Sequence, residues 1–155
     1  MRAAMSVDPR AAVLAGVAAG VTATAAQLLL WSVFWDAMPG IFFRDARLAA
    51  AIVLGSEVLP PPATLDWPVL IVAAAVHFAL SIIYAIILAV LVSGFDRAIS
   101  LVIGALYGLA LFAINMYGFT AVFPWFSMTR DWITLTAHPV FGVSAAGFYK
   151  IRCQP

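Results

Sequence analysis

Four polar side chains lie deep inside apolar segments of this sequence: Gln27, His77, Asn115 and His138. Histidine can ligate a metal or a haem iron, exchange a proton near neutral pH, or hydrogen-bond a polar ligand. The two amides would add donors and acceptors to such a site. Polar groups at such positions are candidates for a functional site. They are also the groups through which membrane helices hydrogen-bond one another.

The segments that carry these residues are long and uncharged. The chain has 155 residues, of which 65% are hydrophobic and only 10% are charged, a composition that a small water-soluble domain cannot bury. A spanning helix needs about 20 apolar residues. The sequence therefore predicts one membrane domain over residues 1–155, an all-α four-helix bundle with spans at 11–35, 68–92, 98–123 and 132–149. Pro124 is expected to end the third span.

The four polar residues are predicted to share one depth in the membrane. Each lies six to nine residues from the outer end of its span. At 1.5 Å per residue this is roughly 9–14 Å below the outer boundary. Gln27, His77, Asn115 and His138 could therefore converge on one level in the outer half of the bundle, either as a ligand site or as hydrogen-bonded packing contacts.

The distribution of basic residues predicts the orientation. Five of the eight fall in the N-terminus, the middle loop and the C-terminus: Arg2, Arg10, Arg97, Lys150 and Arg152. The other three share their two loops with five acidic residues. The positive-inside rule then places both termini in the cytoplasm.

The first outer loop is the one sizeable segment outside the spans. It is predicted to carry an interfacial helix over residues 45–59, with Asp45 as its N-cap and three prolines after it. Two Arg-Asp pairs, Arg44-Asp45 and Arg130-Asp131, are predicted at the outer mouth of the bundle.

Glycines at four-residue spacing predict close helix packing: Gly16, Gly20, Gly104, Gly108 and Gly142. They also suggest a duplication. In each half a glycine pair is followed after seven residues by an amide side chain, then by an Arg-Asp pair and a histidine-bearing helix. The halves would be two parallel hairpins related by an axis along the membrane normal.

Three segments resemble small four-helix inner-membrane proteins of proteobacteria, of unknown function, which often carry the label "sodium:proline symporter". They are 43–50 (FRDARLAA), 58–64 (VLPPPAT) and 77–84 (HFALSIIY). Symporters of that type are built from many more spans with broken helices at the binding site, so no functional residue is carried over from them.

Three functions remain open. The first is a non-catalytic accessory or self-associating subunit of a membrane complex, with the bilayer and a homo-oligomer or larger complex as partners, without nucleic acid and without a cofactor. The second is a small transporter or proton-linked permease subunit that uses the His/Gln/Asn cluster. The third is a haem b protein with His77 and His138 as its only metal ligands. Enzymatic chemistry is not expected, since the spans contain no paired carboxylates and no nucleophile motif.

Overall fold

A computed structural model describes residues 7–35 and 38–153 of the chain, and throughout these residues the regular secondary structure is helical. The five α-helices are α1 (Pro9–Phe34), α2 (Gly40–Leu54), α3 (Trp67–Val92), α4 (Arg97–Ala113) and α5 (Trp132–Arg152). Beyond Ala113, α4 continues through a π-helical turn (Ile114–Gly118) into a 3₁₀ turn (Phe119–Ala121). Arg2, which entered the prediction of orientation, lies outside the described residues.

Three helices of the described part are long and apolar enough to cross a membrane: Pro9–Phe34, Trp67–Val92 and Arg97–Ala121. They correspond to three of the four predicted spans. The fourth predicted span, α5, is long enough but less apolar. This helix packs against α1, α3 and α4 and buries eight of its 21 residues.

Each of the four long helices begins at an aspartate N-cap. The side chain of Asp8 accepts hydrogen bonds from the backbone N–H of Arg10 and Ala11. Asp66, Asp96 and Asp131 each accept a bond from the backbone N–H of the residue three positions ahead, at 3.2, 2.9 and 2.9 Å. These carboxylates satisfy backbone N–H groups that the first turn leaves free.

The helix of the outer loop differs from its prediction. It spans Gly40–Leu54 rather than residues 45–59, so Asp45 lies inside α2 and is not its N-cap. Gly55, with φ of +83°, ends the helix before the three prolines are reached. The helix packs along α3, where Ala50 meets Val69 and Ala73.

The two ends of the bundle are fixed by contacts of α5. At its start, the ring of Trp132 packs edge-on against Phe34 at the end of α1, with centroids 5.1 Å apart. At its other end, Lys150 donates a hydrogen bond to the carbonyl oxygen of Phe95 in the α3–α4 turn, at 2.8 Å. The start of α1, the α3–α4 turn and the end of α5 therefore lie at one end. The segment with α2 lies at the opposite end, where Trp125 Nε1 donates to the Leu48 carbonyl.

Glycines bring the helix pairs α1/α3 and α4/α5 together in the same register. A Cβ added at Gly16 would lie 3.0 Å from the Cβ of Ala85, and one added at Gly104 would lie 3.0 Å from the Cβ of Ala146. Ala85 and Ala146 occupy the same position in their helices, eight residues after the histidine.

The next glycine of each pair lies against the histidine itself. A Cβ at Gly20 would lie 3.2 Å from His77 Nε2, and one at Gly108 would collide with the backbone carbonyl oxygen of His138. Gly142 belongs to the same contact, since a Cβ there would collide with the carbonyl oxygen of Gly104. All five glycines named by the sequence thus lie where helices of this chain meet.

Candidate functional site

The structure brings Gln27, His77, Asn115 and His138 to one cavity of about 430 Å³, called here the first cavity. Each helix pair contributes one amide and one histidine. The remaining lining is largely apolar and includes Leu80, Leu111, Phe119 and Phe141.

A second cavity of about 590 Å³ adjoins the first, between α1, α2 and α3. Its largely apolar lining includes Val21, Leu28, Leu70 and Phe78. The two cavities share several lining residues. Among these are three neighbouring polar residues that we call the polar wall: Thr24, Gln27 and His77.

On the α4/α5 side, the polar groups form a continuous series of hydrogen bonds from Tyr84 to Thr134. The hydroxyl of Tyr84 donates to Oδ1 of Asn115 at 2.8 Å. Nδ2 of Asn115 lies 3.3 Å from Nε2 of His138. Nδ1 of His138 lies 2.8 Å from the carbonyl oxygen of Thr134, one helical turn earlier. Every link joins a donor to an acceptor, so the polar groups here are satisfied within the protein.

This series of hydrogen bonds also sets the tautomer of His138. A carbonyl oxygen can only accept, so Nδ1 carries the proton toward Thr134. In the neutral ring, Nε2 is then the acceptor for the Asn115 amide. Both ring nitrogens are occupied, and no lone pair is left for a metal.

The polar wall on the α1/α3 side is satisfied less completely. Nε2 of His77 lies 3.2 Å from Oγ1 of Thr24 and 3.4 Å from the carbonyl oxygen of Gly20. Within residues 7–35 and 38–153, the side-chain amide of Gln27 and Nδ1 of His77 make no hydrogen bond to the protein. Gln27 is half-buried and borders both cavities, so its donor and acceptor remain available to a ligand.

Asn115 reaches its partners from the π-helical turn of α4. A wider turn of this kind interrupts the regular ladder of backbone bonds and often occurs at functional positions. The end of the turn is held by Arg130, whose Nε donates to the carbonyl oxygen of Met116 at 2.7 Å and whose guanidinium lies 4.4 Å from the centre of the Tyr117 ring.

The four residues predicted at the outer mouth, Arg44, Asp45, Arg130 and Asp131, lie at the end of the bundle that carries α2. Each of them bonds to another part of the protein. Arg130 holds the π-helical turn, and Asp131 caps α5. Arg44 forms an ion pair with Asp45 at 2.6 Å, and Asp45 borders the second cavity. Burial raises the pKa of the Asp45 carboxyl above its ordinary value, while the neighbouring Arg44 charge acts in the opposite direction.

Two residues that line the cavities on the side of α2 were not among the site residues predicted from the sequence. Ala49 of α2 and Phe126 of the 3₁₀ turn before α5 (Pro124–Thr129) line both cavities. The amphipathic pattern of the loop predicts a helix with one apolar face, but the same pattern fits a membrane surface and a neighbouring helix equally well. Only the tertiary contact between α2 and α3 distinguishes the two.

The described residues hold no group of three or more His, Cys, Asp or Glu side chains that could bind a metal ion. No family model, curated protein or solved structure matches this chain significantly. The resemblance noted above therefore stays a prediction, and the case for a function rests on the geometry of the cavities.

Proposed function

We propose that this protein is a four-span protein of the bacterial inner membrane that binds an uncharged amphipathic molecule, without chemical conversion, in the outer half of its bundle. One observation carries the proposal. The polar wall places the unpaired Gln27 amide and the His77 ring at the junction of two largely apolar cavities. Cavities with apolar walls and a few convergent polar groups are the usual form of a small-molecule site.

The length and surroundings of α5 support its assignment as the fourth span. Its 21 residues extend about 31 Å at 1.5 Å per residue, close to the roughly 30 Å of a bilayer core. Its neighbours α1, α3 and α4 bury eight of its residues, among them the polar Thr134.

The distribution of charge supports cytoplasmic termini. One end of the bundle carries Arg10, Arg97, Lys150 and Arg152. Asp8 and Asp96 at that end are engaged as helix caps. The opposite end carries fewer basic residues, with acidic residues among them. A bacterial membrane protein retains its more basic end in the cytoplasm.

The shared register of the two helix pairs supports the predicted duplication. Gly20 lies against the ring of His77, and Gly108 lies against the backbone of His138, at corresponding positions of the two hairpins. The two hairpins differ in the hydrogen bonding of their amide and histidine side chains. The Asn115–His138 pair is bonded within the protein, whereas the corresponding Gln27 and His77 do not bond each other and face the cavities.

The ligand is expected to be uncharged. The polar wall offers hydroxyl, amide and imidazole groups, and no cationic side chain of the described residues lines either cavity. Asp45, the acid that borders the second cavity, is paired with Arg44. Burying an anionic head without a cation would be unfavourable.

Binding fits an accessory subunit of a membrane complex better than it fits transport or haem binding. Transport needs a path to the other end, but the inner half of the bundle is filled by a core of small residues such as Ala12, Ala19, Ala85, Ala89 and Ala146. Haem ligation by two histidines would need Nε2 of His138, which accepts from Asn115. Self-association through the glycine faces would need glycines that already contact helices of the same chain.

The test is to identify what the protein retains. The chain is extracted from its native membrane in polymer-bounded lipid discs, and bound molecules are compared by mass spectrometry with those of Gln27→Leu and His77→Phe. Ser32→Ala is the matched control, because Ser32 is an exposed polar residue of α1 that bonds only its own helix. We expect an uncharged amphiphile to be enriched in the wild type and control and lost from both cavity variants. Identical profiles in all four proteins would exclude the proposed site.

A further inference from the structure

The two cavities reach the surface on different sides of α3. Ala79 is exposed and borders the first cavity, whereas Ala74 is exposed and borders the second. Five residues of an α-helix turn the direction of a side chain by about 140° after one full turn. Gly16 and Gly20 hold α3 against α1 around Ser81. The openings at Ala74 and Ala79 lie before this contact along α3, one on each flank of the helix.

The polar wall lies where the two cavities meet. Thr24, Gln27 and His77 line both spaces, and His138, which also lines both, is bonded to Asn115 and Thr134. The side-chain amide of Gln27 therefore lies where a ligand in either cavity would meet it. Away from this wall, the lining is dominated by aliphatic and aromatic side chains such as Leu80 in the first cavity and Leu70 in the second. The combined space therefore has shared polar groups where the cavities meet and two largely apolar arms.

Such a shape selects among uncharged amphiphiles. A molecule with one chain fills one arm and leaves the other apolar space empty, which forgoes its contact energy. A molecule with two chains joined at a hydrogen-bonding head fills both arms and places its head at the polar wall. The volumes of about 430 and 590 Å³ each fall within the usual range for ligand sites.

We propose that the ligand is a neutral two-chain glycerolipid of the diacylglycerol class, whose head lies at Gln27 and His77 and whose chains leave the bundle on opposite flanks of α3. This rests on the proposed function, which it deepens by naming the ligand class. The hydroxyl of the head is expected to bond the Gln27 amide. The ester carbonyls are acceptors for that amide or for a ring N–H of His77.

The probes are diacylglycerols that carry a photoactivatable diazirine in one chain or in the other, presented to the purified protein in phosphatidylcholine vesicles. Peptide mapping of the labelled protein locates each chain. We expect the two probes together to label both arms, near Leu111 in the first cavity and near Leu28 in the second. Labelling confined to one arm by both probes would overturn the two-chain assignment.

Two variants test the openings separately. Ala79→Trp fills the edge of the first cavity, and Ala74→Trp fills the edge of the second. Ala75→Trp is the matched control, since Ala75 is an exposed neighbour on α3 that borders neither cavity. A two-chain lipid should lose labelling by about tenfold or more in each of the first two variants, a factor that needs only about 1.4 kcal/mol. Loss in only one of them would mean that only one chain of the lipid enters the bundle, which overturns the two-chain assignment.

The outcomes separate this inference from the proposed function. If Gln27→Leu and His77→Phe lose a bound uncharged amphiphile that has one chain, the site stands and the ligand class is wrong. If these variants retain everything that the wild type retains, the site itself is wrong, and the ligand class falls with it.

Discussion

The side-chain amide of Asn115 lies 3.3 Å from Nε2 of His138, whereas the amide at the corresponding position of the first hairpin, Gln27, makes no such bond to His77. The two pairs occupy equivalent positions on glycine-packed helices. Their difference separates two roles that the sequence alone cannot distinguish. One pair links α4 to α5, and the other leaves hydrogen-bonding groups exposed to the cavities.

Asn115→Leu is therefore expected to destabilise the protein. The substitution leaves the hydroxyl of Tyr84 and Nε2 of His138 without partners in a half-buried site. An unsatisfied buried polar group costs about 1–3 kcal/mol. Gln27→Leu is the matched control, because it removes no hydrogen bond within the described protein and should change the free energy of unfolding much less. Both are measured by thermal and denaturant unfolding in the same detergent, and equal destabilisation would contradict the division of roles.

Gly108→Ala and Gly142→Ala should each weaken the α4/α5 contact. A Cβ at either position would collide with a backbone carbonyl oxygen across the contact, that of His138 or that of Gly104, and backbone cannot move aside as a flexible side chain can. Overpacking of this kind typically costs about 1–3 kcal/mol.

The control for these two variants is Gly147→Ala. A Cβ at Gly147 would lie 3.5 Å from Cδ2 of Leu101, an ordinary van der Waals distance, and alanine favours the helix. Its melting temperature should equal or exceed that of the wild type. A loss of stability at Gly147 equal to that at Gly108 would indicate that the glycines act through helix flexibility rather than through close packing.

Much of the fold can be predicted from the sequence because lipid imposes simple rules. Charge-free segments locate α1, α3 and α4, and the aspartates before Pro9, Trp67 and Trp132 mark helix starts. The depth of the four polar residues follows from counting along each helix. The position of α2 does not follow from such rules, because a residue with positive φ, Gly55, ends it earlier than the prolines would.

The site is harder to predict because its distinguishing features are tertiary. The sequence places two amides and two histidines at one level. It does not show that the hydroxyl of Tyr84 bonds Asn115 while the amide of Gln27 makes no bond within the described protein. The cavities themselves lie between α3 and its neighbours, with residues of α2 in their lining. Their shape depends on how all the helices pack, which no local pattern encodes.

Asp45 is expected to make stability depend on pH in an unusual direction. Burial raises the pKa of its carboxyl above the ordinary value of 3.8, against the effect of Arg44, so the folded protein holds the proton more tightly than the unfolded chain. Stability from this group is then fully present below pH 3.8 and is lost as the pH rises through the raised pKa. Asp45→Asn should remove this part of the pH dependence.

The measurement is the free energy of unfolding in detergent as a function of pH for the wild type, Asp45→Asn and Glu57→Gln. Glu57 is an exposed acid of the same loop and serves as the control. The free energy of unfolding of the wild type minus that of Asp45→Asn should fall with rising pH. The curve of Glu57→Gln should follow that of the wild type. A difference that rises with pH would mean that the ion pair with Arg44 outweighs the burial of the carboxyl.

The proposed topology predicts which cysteines a membrane-impermeant maleimide can reach from outside. Cys153 is exposed just beyond α5, at the end of the bundle that carries Arg10 and Arg97, so it should react only after the membrane is permeabilised. Ser56→Cys in a Cys153→Ser background places the thiol in the exposed loop after α2, and it should react in intact spheroplasts. If α3, α4 and α5 all span the membrane, the chain crosses it three times between residues 56 and 153, and the two thiols lie on opposite sides. Labelling of the loop thiol from outside, with Cys153 labelled only after permeabilisation, therefore supports the fourth span and the cytoplasmic C-terminus. Labelling of both thiols from outside would mean that the chain crosses the membrane an even number of times between them, and α5 would then lie outside the bilayer.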